Sequence, residues 1–310
     1  MRVLIVGCNG FIGPAIARHA VALGHDVLGM ARSLRPSPAL PGTYVTGDRA
    51  DPGGVREVVL SRGIDAVVDV IAMTAVQTQP LLDCLDGVIE QYVLISSCDV
   101  YANYELLHKL ESGRAILDSV DEDSPLRVSR YPYRGDRPRH LDSPDAYLDH
   151  YDKIPIETAV RQLSSAWTIL RLPMVYGPGD KQRRFRWAIE PMCQDQDVLV
   201  LPRAWAAWES TYGYVENVGA AVAVALGHRL ARNHTFNIAE ENPVSHLAWA
   251  EKLAATMGWQ GAIEVSGDPD DDFARRLNGL DLSVPLKING DRFRETFGFA
   301  DPVLEPVALA

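Results

Sequence analysis

The chain has 310 residues, 47% of them apolar and 23% charged, with a net charge of −11. That length can bury a large core, as one big domain or two modest ones, while the excess of acid argues against a general nucleic-acid or anionic-membrane partner and leaves room for a local basic pocket that holds phosphate. No apolar stretch reaches the ~18 residues needed to cross a bilayer, and the four cysteines (8, 84, 98 and 193) show neither metal spacing nor a disulfide framework. The opening apolar run stops at Gly7, so nothing there resembles a signal peptide. The expectation is a reduced, cytoplasmic protein acting on a small molecule.

In chain order, residues 3–6 form an apolar run suited to a buried parallel strand, and it opens into Gly7, Gly10 and Gly13. Gly7 permits a tight turn, Gly10 removes a side chain where a pyrophosphate would lie, and Gly13 lets a helix pack closely on the strand. Pro14 sits at a first-turn position, where a missing N–H costs nothing. The free amides of that helix end would face the phosphates of a dinucleotide.

Strands are expected at 27–30, 44–46, 66–71 and 92–95, with helices near 14–23, 53–61 and 79–89. This alternation predicts right-handed crossovers and a parallel sheet covered on both faces. Residues 101–144 break the rhythm: polar, rich in Pro, Arg and Asp, and too long for an ordinary connection, they are expected to cover an active site. A helix over 154–163, a strand over 167–172, a helix over 217–230, a strand over 234–238 and a helix over 245–257 follow, then an acidic loop at 268–272.

Several segments resemble one family. Gly7-x-x-Gly10-x-x-Gly13, the run Ser96-Ser97-Cys98-Asp99-Val100-Tyr101, and the run from Leu170 through Pro173, Tyr176 and Gly177 to Asp180 are similar to extended short-chain dehydrogenase/reductases, the NAD(P)-dependent epimerase/dehydratase group. Tyr214-Val215-Glu216-Asn217-Val218 and Phe236-Asn237-Ile238-Ala239 resemble two further elements of that group. The resemblance implies an α/β Rossmann-type, doubly wound parallel sheet from residues 1–172 plus 213–238. A smaller C-terminal substrate-binding lobe would come from 173–212 plus 239–310, and a homodimer is the family habit.

It also implies a nicotinamide cofactor touched by Asn9, Phe11 and Ile12 of the glycine loop, Asp48 and Arg49 after the third strand, Ala72 after the fourth, and Leu172, Pro173 and Val175 after residue 171. The end of the second strand discriminates between cofactors, because an acid there binds the ribose of NAD whereas an arginine accommodates the extra phosphate of NADP. Here Ala31 stands where the acid would be, followed by Arg32, with Arg35 close behind. NADP(H) is therefore favoured over NAD(H).

For catalysis the family uses a Ser or Thr, a Tyr and a Lys. The Lys holds the nicotinamide ribose and lowers the phenol pKa, while the Tyr transfers the proton and the hydroxyl orients the substrate oxygen. Ser97 matches the hydroxyl, and Lys153, followed four residues later by Glu157, matches the lysine. The tyrosine belongs four residues before the lysine, where this chain has Asp149. Pro155 implies a helix that begins late, so Tyr151 lies on an approach whose direction helical geometry does not dictate. Tyr151 is the assigned phenol and Tyr147 its substitute. Asp149 or His150 could carry the proton instead, or both tyrosines could simply pack.

Sugar-nucleotide dehydratases have an acid–base pair after the hydroxyl residue; here the pair is Cys98-Asp99, and a thiol cannot supply the same acid, so dehydration is disfavoured. Asp99, Tyr176, Arg183, Trp205 and Trp208 are the expected substrate contacts, although the indoles could equally be core and Arg183 a solvated charge. The stretch from Glu209 to Tyr214, where sugar-nucleotide enzymes of this group carry an arginine, has none, which weakens a nucleotide-sugar substrate, although Arg183, Arg184, Arg186 and Arg203 could still hold a phosphate. The expected function is NADP(H)-dependent hydride transfer to or from a carbonyl or alcohol of a small metabolite. A nucleotide-sugar epimerase with tightly held cofactor, and a silent nicotinamide-binding protein, are the alternatives.

Overall fold

Apolar runs alternate their side chains between two faces, so a strand buried on both sides needs a helix layer over each. The computed structural model, which describes residues 1–33, 42–135, 137–194, 196–267, 277 and 279–309, meets that need. Strands β1 (Arg2–Val6), β2 (Asp26–Ala31), β3 (Thr43–Thr46), β4 (Ala66–Asp69), β5 (Gln91–Ser97) and β6 (Ala166–Leu172), with the strand His234–Asn237, make a parallel sheet among the described residues. Its order is β3-β2-β1-β4-β5-β6 and then His234–Asn237.

Val3, Ile5, Val68, Val93, Ile95 and Leu170 face one layer, formed by helix α1 (Gly13–Ala22) and the helix Val215–Ala225. Leu4, Val6, Met30, Val67, Leu94 and Ile169 face the other layer. That layer holds α2 (Pro52–Arg62), α3 (Ala75–Leu85) and, after the short helix α4 (Ala102–Leu107), α5 (Lys153–Val160). The result is the expected Rossmann-type α/β fold.

Local differences have local causes. Helix α3 starts at Ala75, earlier than read, because the Thr74 hydroxyl caps the Gln77 amide at 3.4 Å. The helix after Val215 stops at Ala225, since Gly227 takes a left-handed φ of +69° and turns the chain. The long polar segment contains α4, whose Asn103 side chain binds the carbonyls of Ile116 and Pro285 at 2.7 and 3.0 Å. Arg35 and the acidic stretch at 268–272 lie outside the described residues.

Beyond Pro173 the chain adds a second apolar core of Phe185, Met192, Leu199, Trp205, Trp208, Tyr212, Trp249 and Leu253. Short parallel pairs, Met174–Tyr176 with Tyr212–Tyr214 and Val198–Pro202 with Ala262–Ser266, were not legible in the sequence and frame this core. No helix among the described residues is long and apolar enough to cross a membrane.

Close approach of α1 to the helix Val215–Ala225 depends on Gly219, where a Cβ would stand 2.6 Å from the Ala15 backbone carbon. Gly219→Ala is expected to destabilise the fold by about 1–3 kcal/mol through overpacking. Urea unfolding checks this, and an unchanged midpoint would show slack between the two helices.

Candidate active site

Strand order reverses between β1 and β4, and such a reversal opens a crevice at the carboxyl ends of the strands. Gly7 turns there with φ +89°, and a Cβ on it would press within 2.8 Å of Ile71. A Cβ on Gly13 would stand 2.6 Å from the carbonyls of both Gly7 and Cys8, so only glycine lets α1 start so close to β1. The first turn of α1 has no side-chain cap and no acid, leaving its positive end available to an anion. These features fit a dinucleotide pyrophosphate.

Asn9 Nδ2 donates to the Ser33 carbonyl at 2.7 Å, tying the glycine loop to the turn after β2, where Arg32 is exposed. Phe11 and Ile12 pack, half-buried, against the core beside α1. Asp48 is exposed, with Oδ1 accepting the Ala50 amide at 2.9 Å. Leu172 and Val175 are buried, Pro173 half-buried, and the buried Ala72 offers its carbonyl to the site.

Arg49 has a structural task of its own. Its Nε and Nη2 hold the fully buried Asp69 carboxylate at 2.6–2.9 Å. Nη2 also reaches the Thr78 hydroxyl at 2.9 Å and Nη1 the Gln77 carbonyl at 3.2 Å. A buried carboxylate demands such a partner, so this guanidinium is a structural tie of the sheet. Arg49→Met is expected to cost about 3–5 kcal/mol by stranding Asp69. Thermal denaturation with and without nicotinamide nucleotide checks it: a variant that keeps its stability but loses nucleotide binding would make Arg49 a cofactor contact instead.

The chemistry gathers where β5 ends. Ser97 closes β5, and its Oγ accepts the Asp99 amide at 3.2 Å as the chain enters a 3₁₀ turn. Helix α5 starts at Lys153 itself; Asp152, extended at φ −163°, caps it by accepting the Ile154 amide at 3.2 Å. Tyr151 therefore lies outside the helix. Its hydroxyl donates to Asp99 Oδ2 at 2.8 Å. Lys153 Nζ donates to the carbonyls of Ala72 and Ile95 at 2.6 and 2.9 Å, bridging the ends of β4 and β5, and stands 5.7 Å from the Tyr151 ring centre. The structure thus brings Ser97, Asp99, Tyr151 and Lys153 together.

Tyr147, half-exposed on the turn Ala146–Asp149, makes none of these contacts. Asp149 is engaged by Arg139, whose amide and guanidinium both reach its carboxylate, and His150 lies against the Tyr131 ring. Two participants had no sequence signal. Tyr133 donates to Asp99 Oδ2 at 3.1 Å, and buried Arg127 links the Asp99 carbonyl at 2.9 Å to Asp152 Oδ1 at 2.6 Å. Both come from the long polar segment, and only the fold reveals their direction.

Burial dominates the electrostatics. It pushes the Asp99 carboxyl up, against hydrogen bonds from Tyr151 and the charges of Arg127 and Lys153. It lowers Lys153 to about 8, against the pull of Asp99 and Asp69. Burial and the Asp99 charge together hold the Tyr151 phenol well above its usual value. Tyr151 is thus a neutral phenol, a proton donor, beside an easily discharged ammonium.

The expected substrate contacts divide. Asp99 is in the cluster, but Tyr176, Trp205 and Trp208, at 3%, 9% and 5% exposure, are interior. Trp205 stacks on His246 with ring centroids 3.9 Å apart, and Trp208 Nε1 donates to the Val284 carbonyl at 2.8 Å. These indoles are built into the aromatic core and form no open wall. Arg183 is exposed in a left-handed turn at φ 48°.

Sheet order, glycine loop and the Ser–Tyr–Lys cluster define a Rossmann-type nicotinamide-binding protein of the short-chain dehydrogenase/reductase kind. Residues 3–239 match the NAD dependent epimerase/dehydratase family, and the chain belongs to that family. It is 25% identical over 290 residues to the chloroplast stem-loop binding protein of 41 kDa b of Arabidopsis thaliana, spanning 89% of this chain and 68% of that protein. Over 68 residues, 22% of this chain and 20% of the relative, it is 41% identical to the 2-alkyl-3-oxoalkanoate reductase of Stenotrophomonas maltophilia. The UDP-glucuronic acid 4-epimerase of Bacillus cereus, solved in complex with NAD, shares the fold with a TM-score of 0.68 at 17% identity, covering 100% of this chain and 96% of that one.

Proposed function

We propose that this protein is an NADP(H)-dependent oxidoreductase that reduces a carbonyl of a small metabolite. The cofactor domain is formed by 1–172 plus 213–238 and the substrate lobe by 173–212 plus 239–310. One observation carries the reading: the Tyr151 hydroxyl reaches Asp99 beside Ser97 and Lys153, although it sits two residues before the lysine and not four. A phenol kept neutral by burial and by Asp99 favours proton donation to a forming alkoxide, the direction of reduction. When bound, the nicotinamide supplies the hydride. Ser97 orients the oxygen, Tyr151 donates the proton and Lys153 holds the ribose. The exposed Arg32, after an Ala31 that leaves no acid at the end of β2, supports the phosphorylated cofactor. Burial of the Cys98 thiol, which pushes its pKa well up, supports the case against dehydration. The name of the Stenotrophomonas relative, an oxoalkanoate reductase, adds support for a carbonyl reductase over its short span.

A panel of 3-oxo acids, other carbonyl metabolites and UDP-sugars, followed by NADPH and NADH oxidation, tests the reading. Tyr151→Phe is expected to lower kcat by about 10²–10⁴, the worth of general acid catalysis, whereas Tyr147→Phe separates the substitute candidate. Sugar interconversion without net cofactor oxidation would establish the epimerase reading instead. Cofactor uptake with no turnover would favour a silent nicotinamide-binding protein.

Arg32→Glu is expected to weaken NADPH binding roughly 10–100-fold, since each charged hydrogen bond is worth about 1.5–3 kcal/mol. NADH binding should be far less affected. Calorimetry giving an unchanged preference would remove the NADP assignment.

Lys153 is a cation below about 8 and neutral above it. Its charge lowers the cost of a developing phenolate, so kcat/KM for reduction is expected to fall as pH rises through that value. A rate flat from pH 7 to pH 9.5 would show that the ammonium has no such role.

A further inference from the structure

The position four residues before Lys153 has traded a phenol for a clamp. Asp149 Oδ2 accepts the Arg139 amide at 2.6 Å, Oδ1 takes the Arg139 guanidinium, and the Asp149 carbonyl accepts Arg134 Nε at 2.7 Å. Just before α5, Asp152 holds Arg127 at 2.6 Å. Three arginines of the 127–139 segment are thereby pinned to the approach to α5. Between them, Tyr131 takes a left-handed φ of 54°, a strained conformation for a tyrosine that persists only where its surroundings enforce it. The segment presents Tyr133 to Asp99 Oδ2 at 3.1 Å, the oxygen that also takes Tyr151 at 2.8 Å. The two phenol rings meet edge to face, centroids 5.0 Å apart. Asp99 Oδ1 is buried with no hydrogen-bond partner among the described residues, so the carboxyl has an acceptor to spare.

We propose that Tyr133 is a second proton-handling phenol of this site, coupled to Tyr151 through Asp99, and that Asp149 positions it by clamping the arginine-rich segment. The chemistry rests on the carbonyl-reductase reading; the geometry does not. As hydride reaches the carbonyl carbon, the carbonyl π pair moves to oxygen, the Tyr151 O–H bond breaks and the alcohol O–H forms. A phenolate is left beside the Asp99 carboxylate, an arrangement that like-charge repulsion penalises. Asp99 takes the Tyr133 proton as Tyr151 regains one, which moves the phenolate from Tyr151 to Tyr133 on the same carboxylate oxygen. Burial and the Asp99 charge disfavour a lasting phenolate there as well, so Tyr133, the less buried of the two, is reprotonated from solvent to close the cycle. Each turnover consumes one hydride and one solvent proton. Here the Lys153 ammonium is already engaged by two carbonyls, and the Asp99 carboxyl joins the two phenols.

The test uses the full chain. Infrared difference spectra of the cofactor-free protein against Asp99→Asn isolate the Asp99 carboxyl band. Tyr133→Phe is expected to shift that band in the same sense as Tyr151→Phe. With the fastest-reduced carbonyl of the panel, Tyr133→Phe is expected to lower kcat about tenfold, below the span of a direct acid, with KM held and the solvent deuterium isotope effect raised. Asp149→Asn should move kcat in the same direction, with recovery in Asp149→Glu. An Asp99 band indifferent to Tyr133→Phe overturns the proposal whether or not turnover is found. So does a Tyr133→Phe protein that loses thermal stability yet keeps kcat and isotope effect, since Tyr133 would then only pack. A wild-type protein that reduces no carbonyl defeats the carbonyl-reductase reading, while the infrared arm still decides the coupling.

Discussion

Where helix α5 meets the sheet is decided by one buried carboxylate. Glu157 lies a turn beyond Lys153, and its Oε1 takes Arg171 Nε at 3.0 Å and the Ser96 hydroxyl at 2.7 Å. Its Oε2 takes Arg171 Nη2 at 2.8 Å and Arg161 Nη2 at 2.9 Å. Burial alone would push this carboxyl up; the Arg171 guanidinium overcomes that and holds it below its usual range. Because Ser96 is on β5 and Arg171 on β6, the pair fastens α5 across two central strands. A buried ion pair adds little net stability, but four donors on one carboxylate leave a single orientation satisfied. That orientation puts Lys153 over the carboxyl ends of β4 and β5, and every distance at the site follows from it.

Where the sequence could be read, nearest-neighbour physics decided the outcome. Buried strands such as β1 and β5 announce themselves as apolar runs, and the glycine loop by the spacing of residues that must lack a Cβ. The fold class and family followed from those. Tyr151 was reachable because Pro155 marks a helix that starts late, which frees residue 151 from helical direction. The structural role of Arg49 was out of reach because its partner, Asp69, lies twenty residues away on β4 and becomes a neighbour only in the folded sheet. The indoles of Trp205 and Trp208 were ambiguous for a related reason: wall and core share a composition, and only burial separates them. Tyr133 left no trace at all. Its place depends on three arginines finding acceptors 25, 15 and 10 residues further along the chain, and no periodicity records that.

The displaced phenol has a geometric rationale. Inside a helix, residues two apart point about 200° away from each other, whereas residues four apart share a face. A tyrosine two before the lysine can meet it only if the helix has not begun. Asp152 provides that condition, extended at ψ 115°, with Arg127 holding its side chain in the capping position. Moving the phenol off the helix costs orientational control, because an extended residue is held by its neighbours rather than by a ladder of backbone bonds. Asp99 restores that control by accepting the Tyr151 hydroxyl.

Such a solution changes the charge balance of the site. Lys153 and Asp99 are both withdrawn from water, and burial works against the charged form of each. Two carbonyls satisfy part of the ammonium, yet desolvation still outweighs them, leaving Lys153 close to discharge near neutral pH. Burial also raises the carboxyl from its ordinary value. A phenol hydrogen-bonded to that carboxyl and lying beside the ammonium need not carry charge alone in the transition state, because the coupled groups share it. The constraint is therefore on the cluster and not on any one spacing: provided Glu157 holds α5 in place and Asp99 stays buried, the tyrosine can arrive from outside the helix.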